Sequence, residues 1–264
     1  MLPILFHIGN FAVHTYGLVV LLAIVLGTQV GITLARYTMK QYEEHIVPLV
    51  YTSVIGAVIG ARIWQVFFFE PNYYLAHPLE MIAFWNGGLS IQGGIVGGIL
   101  TGFWYCKRKG LSFWKVADLL APSIILGQGI GRIACLLNGD AFGSPTGKGY
   151  GLVYPPGTFA YDTYGSKPLW PAEVWEGQID FVIFAILFAL LRKKLPTGTM
   201  FLLYNILYAL ARFGLEFLRG DSPRYLFYWT AAQWTSAVIV FISIAALLVL
   251  KKNDRNVSLK SNTV

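Results

Sequence analysis

The 264-residue chain predicts an all-α integral membrane protein: seven transmembrane helices, N-terminus outside and C-terminus cytoplasmic, with a small extracytoplasmic head loop. Three observations lead there. Hydrophobic residues make up 56% of the chain and charged residues 12%, against about 25% charged in an average soluble domain, so polar groups are too few to cover a soluble surface. Seven apolar stretches, residues 11–35, 46–69, 88–106, 116–137, 174–191, 199–218 and 228–250, are long enough for spanning helices. Basic residues then gather in alternate loops, which orients the whole.

Arg36 and Lys40 follow the first stretch; Lys107, Arg108, Lys109 and Lys115 follow the third. Arg192, Lys193 and Lys194 follow the fifth, and Lys251, Lys252, Arg255 and Lys260 follow the seventh. Those thirteen of twenty basic residues lie on one side, which is the cytoplasmic one. The opposite loops hold Lys148, Lys167, Arg219 and Arg224. The net charge of +7 thus reflects membrane orientation and not a nucleic-acid surface. Residues 1–252 form the membrane domain, with the head loop at 138–173, and residues 253–264 a polar cytoplasmic tail expected to be disordered. The first stretch has no basic region ahead of it and is too long for a signal peptide, so it is expected to remain as a span. Cys106 and Cys135 fall at opposite ends of neighbouring spans, which disfavours a disulfide. No cysteine–histidine spacing suggests a metal, and nothing implies a cofactor.

The most informative stretch is 127–143, GQGIGRIACLLNGDAFG. Arg132 stands inside the apolar part, framed by Gly127, Gly129 and Gly131, and on a helix shares a face with Cys135 and Gly139. An arginine there needs a partner, either a protein carboxylate or a bound anion. Arg62 and Arg212 are the other arginines inside spans. At about 1.5 Å per residue, each of the three lies roughly 9–11 Å below the outer end of its helix. With few carboxylates expected nearby, three guanidiniums at one depth suggest a site for an anionic headgroup, since the planar fork grips phosphate in two places.

The sixth stretch carries Tyr208, Arg212, Glu216 and Arg219 on one helix face, where Glu216 can pair with either arginine. Tyr16, by position alone, reads as an interface anchor. Gln92 is the one long polar side chain at the glycine-rich start of the third stretch, whose glycines suit close helix packing or an approaching headgroup. Asn138 and Asp140 stand where the fourth stretch leaves its apolar surroundings, and Gly143 follows.

Together these residues resemble the prolipoprotein diacylglyceryl transferases of bacterial inner membranes. The likeness runs through Tyr16-Gly17-Leu18, Gly60-Ala61-Arg62, Gly87-Gly88 with Gly93-Gly94, Gly131-Arg132, Asn138-Gly139 with Gly143, then Tyr208, Arg212, Glu216 and Arg219, and the Gln233/Ser236 pair. The resemblance implies transfer of the diacylglyceryl group of phosphatidylglycerol to the lipobox cysteine thiol of a preprolipoprotein, with release of glycerol 1-phosphate. It implies that Arg132 and Arg212 hold the phosphate and stabilise the leaving group. Tyr16, Asn138 and Tyr208 would orient headgroup or thiol, and Glu216 and Arg219 would support Arg212. Arg62, Gly131, Gly143, Gln92 and Asp140 complete the expected substrate site.

The chain also departs from the family pattern. Many members carry His where this chain has Gln92, and an amide cannot act as a base at neutral pH. Ala134, Cys135, Leu136 and Asp140 replace a usual Gly, Asn, Phe and Glu. The competing readings are a lipid-binding relative with lost or altered transfer and a small-anion transporter; internal repeats and midplane charges, which mark many transporters, are not seen.

Overall fold

The computed structural model describes residues 1–9, 11–83, 87–193 and 195–261. Residues 84–86, just ahead of the third expected span, and Lys194, one of the orienting basic residues, lie outside these. The chain is mostly helical. A hairpin of β1 (Ile4–Ile8) and β2 (Phe11–His14) precedes α1 (Thr15–Thr38), α2 (Glu43–Trp64), α3 (Pro71–Ala76) and α4 (Ile91–Arg108). Then follow α5 (Phe113–Asn138), α6 (Phe159–Tyr164), α7 (Ala172–Leu190), α8 (Thr199–Leu215) and α9 (Ala231–Ser261).

Among the described residues, five helical stretches are long and apolar enough to cross a membrane: Thr15–Thr38, Lys40–Phe69, Phe113–Asn138, Thr199–Leu218 and Ala231–Lys252. This is a multi-pass membrane protein. Helices α4 and α7 occupy the other two expected segments. Their composition is weaker: α4 is diluted by glycine and ends in Lys107 and Arg108, and α7 contains Glu173, Glu176 and Asp180. Two boundaries differ from expectation. The first helix begins at Thr15 and not at residue 11, because the preceding residues turn back at Gly9 (φ 59°) and pair as antiparallel strands. At the other end α9 carries helical backbone through Ser261, where a disordered tail was expected.

The chain divides into two compact units, one of residues 1–31 with those from 117 onward, the other of residues 32–116. In the second unit α2 and α4 meet through residues with little or no side chain. A Cβ on Gly60 would lie 2.9 Å from the Gly97 Cα, and one on Gly97 would collide with the Gly56 carbonyl. One turn on, Thr101 packs onto Gly56, and a Cβ on Gly102 would lie 3.0 Å from the Ser53 hydroxyl. Between membrane helices, where apolar burial drives little, such close approach supplies the attraction.

In the first unit Gly27 of α1 faces the Ser123 carbonyl of α5, where a Cβ would sit 3.1 Å away. The backbone N–H of Leu2 bonds to the Leu137 carbonyl at 3.0 Å, tying the N-terminus to the last turn of α5. Ala121 and Ile125 of α5, Ile183 and Leu187 of α7, and Met200 and Tyr204 of α8 form one buried cluster. Asp118 caps α8 from a distance, accepting the Gly198 N–H at 2.5 Å and the Phe201 N–H at 2.9 Å. Both Cys106 and Cys135 are free thiols.

Residues 138–173 fold around their own small core of Phe142, Tyr154, Ala160 and Leu169. Gly139 (φ 75°) lies against Thr158, and its carbonyl accepts the Ala160 N–H at 3.1 Å. Gly143 has no room for a Cβ beside the Trp170 backbone. Its segment is stitched to the chain after α8 by Ser144 N–H to Leu218 carbonyl (2.7 Å) and Gly220 N–H to Phe142 carbonyl (3.2 Å). The Tyr154 hydroxyl donates to the Glu173 carboxylate, and burial, reinforced by that bond, raises the phenol above its ordinary pKa.

Two outcomes follow from this packing. Gly97→Leu drives a side chain into the α2 backbone, and detergent-extracted protein is expected to lose its cooperative thermal transition. Asp118→Ala removes the cap of α8 and is expected to cost about 1–2 kcal/mol, read as a lowered melting temperature.

Candidate active site

The site is assembled by three helices of the first unit around one carboxylate. Glu176 of α7, 1% exposed, accepts from Arg132 Nη2 of α5 at 2.5 Å and from Arg212 Nη1 of α8 at 2.7 Å. The Tyr208 hydroxyl, one turn before Arg212, donates to Glu176 Oε1 at 3.3 Å. Arg219 Nη1 lies 3.8 Å from the other oxygen. The approach of α5 to α7 depends on two glycines. A Cβ on Gly177 would stand 3.1 Å from the Arg132 Cβ, and one on Gly129 3.2 Å from the Asp180 Cβ.

Around this centre each cation has further contacts. Arg212 Nη2 faces Glu216 at 2.9 Å, an ion pair without hydrogen-bond alignment. Of the two pairings open to Glu216, this is the one formed. Arg219 instead forks onto Asp221, Nε to Oδ1 at 2.8 Å and Nη2 to Oδ2 at 2.6 Å. Its backbone bridges to Gly143, so the 138–173 segment fixes where Arg219 stands. Arg132 Nη1 turns to the Cys135 sulfur at 4.0 Å, a weak contact. The side chains of Arg132 and Arg212 are 20% and 16% exposed, so neither is fully enclosed.

Asn138, at the end of α5, donates to Asp140 at 2.7 Å. Tyr16, two-fifths exposed at the start of α1, lies within electrostatic reach of Cys135, Asp140 and Arg132. Gly131 faces open space. The structure therefore gathers Tyr16, Arg132, Asn138, Asp140, Gly143, Tyr208, Arg212, Glu216 and Arg219 into one unit.

Arg62 and Gln92 belong to the other unit. Arg62 is buried, and its donors meet backbone carbonyls: Nε to Met81 at 3.0 Å, Nη1 to Gly87 at 2.6 Å and Gly88 at 2.9 Å, and Nη2 to Glu80. The Tyr74 ring lies beneath, 5.0 Å from the guanidinium carbon. Gln92 accepts the Ser90 hydroxyl at 2.8 Å. Ser90 also caps α4 through the Gly93 N–H.

Sequence reasoning expected few carboxylates near the arginines, and the structure corrects that. Glu176, Glu216, Asp180 and Glu173 are all buried in this unit. Among the described residues neither oxygen of Asp180 has a hydrogen-bond donor. The signal was available: Glu173, Glu176 and Asp180 recur at three and four residues at the start of an apolar segment. The cost that made the arginines conspicuous applies equally to acids.

Comparison with known proteins gives the family. A family model described as prolipoprotein diacylglyceryl transferase matches residues 3–249. The chain is similar to the phosphatidylglycerol–prolipoprotein diacylglyceryl transferase of Acaryochloris marina, 38% identical over 83% of this chain and 80% of that one. It is 34% identical to the Bacillus licheniformis protein of that name over 97% and 94% of the two chains. The Bordetella avium protein is 35% identical over 82% and 81%. With the match running almost from end to end through every helix that builds the site, the chain belongs to the prolipoprotein diacylglyceryl transferase family.

Proposed function

We propose that this protein transfers the diacylglyceryl group of phosphatidylglycerol to the lipobox cysteine thiol of a preprolipoprotein, releasing glycerol 1-phosphate. The observation that carries this reading is the pair Arg132 and Arg212, set side by side on α5 and α8 within apolar helices. Two guanidiniums brought to one place suit one phosphodiester. In the reaction the thiol sulfur attacks the glycerol carbon, the carbon–oxygen bond to phosphate breaks, and negative charge gathers on the departing phosphate. Arg132 and Arg212 meet that charge already oriented, so little reorganisation is needed as it develops.

The neighbouring side chains take supporting parts. Tyr208 lies beside both arginines, and Tyr16 and Asn138 stand where headgroup or thiol would be oriented. Glu216 steadies Arg212, while Arg219 holds the rim of the site through Asp221 and Gly143. Gly131 leaves open space beside Arg132, and Gly143 lets the 138–173 segment pack against Trp170. Asp140 holds Asn138. Within the second unit Arg62 secures the turn before α4.

We further propose seven spans, with α4 and α7 as the third and fifth. The N-terminus lies outside, the C-terminus is cytoplasmic, and the site faces the outer leaflet of the bacterial inner membrane. The thirteen basic residues of the alternate loops support this orientation. Residues 1–252 form the membrane domain, carrying the 138–173 head, and 253–264 the cytoplasmic tail.

The test uses purified protein in detergent with phosphatidylglycerol and a lipobox peptide, following glycerol phosphate release. Wild type is expected to be active, and Arg132→Ala to lose at least about 100-fold in turnover. Gln92→His is expected to leave release intact, because a free thiol near pKa 8.5 is already ionised to a few per cent at neutral pH. Release only from Gln92→His would make the natural protein a lipid-binding relative that has lost its chemistry.

A further inference from the structure

Glu176 is the group on which the cationic pair converges, and the reading above gives it no task. Its two oxygens are divided between two helices. Oε1 accepts Arg132 Nη2 at 2.5 Å and the Tyr208 hydroxyl at 3.3 Å; Oε2 accepts Arg212 Nη1 at 2.7 Å. The residue next to it, Gly177, is what lets α7 come this near, since a Cβ there would lie 3.1 Å from the Arg132 Cβ and 3.4 Å from the Gly129 carbonyl.

The three arginines do not depend on Glu176 equally. Arg219 has Asp221 and Arg212 has Glu216 as further partners. Among the described residues, Glu176 is the single carboxylate in ion-pair reach of Arg132. A carboxylate that holds one nitrogen from each of two guanidiniums fixes their separation and their planes. Arg212 Nη2 is taken by Glu216, but Arg132 Nη1 makes only the weak contact with the Cys135 sulfur and can serve a second anion without rearranging the rigid fork.

We propose that Glu176 is the positioning residue of this site. It clamps Arg132 to Arg212 at the spacing and orientation in which both meet one lipid phosphate. The inference rests on the phosphate-holding role of the two arginines proposed above. Glu176 touches no reacting atom and acts through the arginines. A carboxylate that merely neutralised buried cations would be replaceable by any arrangement that keeps the helices packed. A clamp would not, because small misplacements of a catalytic group weigh on the transition state.

Three variants separate these roles: Glu176→Gln, which keeps the shape and loses the charge; Glu176→Asp, which keeps the charge but draws it back by one methylene; and Arg132→Ala with Glu176→Gln. Each is measured beside wild type for kcat and KM with phosphatidylglycerol and a lipobox peptide, and for thermal unfolding in detergent. The expected result is a folded Glu176→Gln with kcat lowered about 100-fold and KM nearly unchanged. Glu176→Asp is expected to fall between the two. Glu176→Gln is expected to add little to Arg132→Ala, since the clamp has then already lost its arm.

A folded Glu176→Gln with wild-type kcat overturns the proposal and leaves Glu176 as a neutralising charge. Should Glu176→Gln fail to fold, Glu176→Asp decides: lowered kcat in a folded protein supports the clamp, and undiminished kcat overturns it. Full additivity in the double variant also overturns it. Wild type that releases no glycerol phosphate would sink the transferase reading itself, an outcome distinct from any difference among the variants.

Discussion

One buried carboxylate sets the terms for this molecule. Glu176 sits in an apolar helix where an unpaired charge is costly, and it is held there by cations from α5 and α8. The dependence is mutual, and most so for Arg132, which among the described residues has no other carboxylate in ion-pair reach. Removing Glu176 strands Arg132 and leaves Arg212 with Glu216 alone, so the sequences of three helices are coupled at this point. The contacts that align these helices elsewhere, the Ala121–Ile125–Ile183–Leu187–Met200–Tyr204 cluster and the Asp118 cap on α8, bring the three charged groups to one place.

The second constraint is the absence of side chains. In a membrane, helices gain little from burying apolar surface against one another, and attraction comes from contact at short range. Gly56, Gly60, Gly93 and Gly97 supply that contact between α2 and α4, as Gly27 does between α1 and α5. At the site the same device has a chemical consequence. Gly129 and Gly177 bring α5 and α7 close enough for a direct guanidinium–carboxylate bond.

Much of this was legible in the sequence, and the parts that were not share a cause. Apolar length and the placement of Lys and Arg announce a helical membrane protein, and Arg132 and Arg212 stand out because arginine inside an apolar segment demands an explanation. Glu176 and Asp180 carry the same demand, but they lie near the end of a segment that reads as a transition out of the head loop. Burial could not be read there. The hairpin at residues 4–14 was hidden because its apolar residues suit a helix start equally well, and only backbone pairing with a turn at Gly9 tells them apart. Arg62 looked like a third member of the cationic set. Its donors go to carbonyls of Glu80, Met81, Gly87 and Gly88, a use of arginine that leaves no mark in spacing, since carbonyls belong to every residue.

The backbone stitching of residues 142–144 to residues 218–220 bears on how the protein is made. A chain is synthesised from its N-terminus, so α5, the head and α7 exist before α8 does. During that interval Glu176 has Arg132 but lacks Arg212, Arg219 and Tyr208. The strand-like pairing that seats Arg219 likewise waits for the segment after α8. The charged centre is thus completed late, and a biosynthetic intermediate stalled before α8 carries the Arg132–Glu176 pair without its partners from α8. Such an intermediate is the form in which membrane quality control would distinguish an unfinished chain from a finished one.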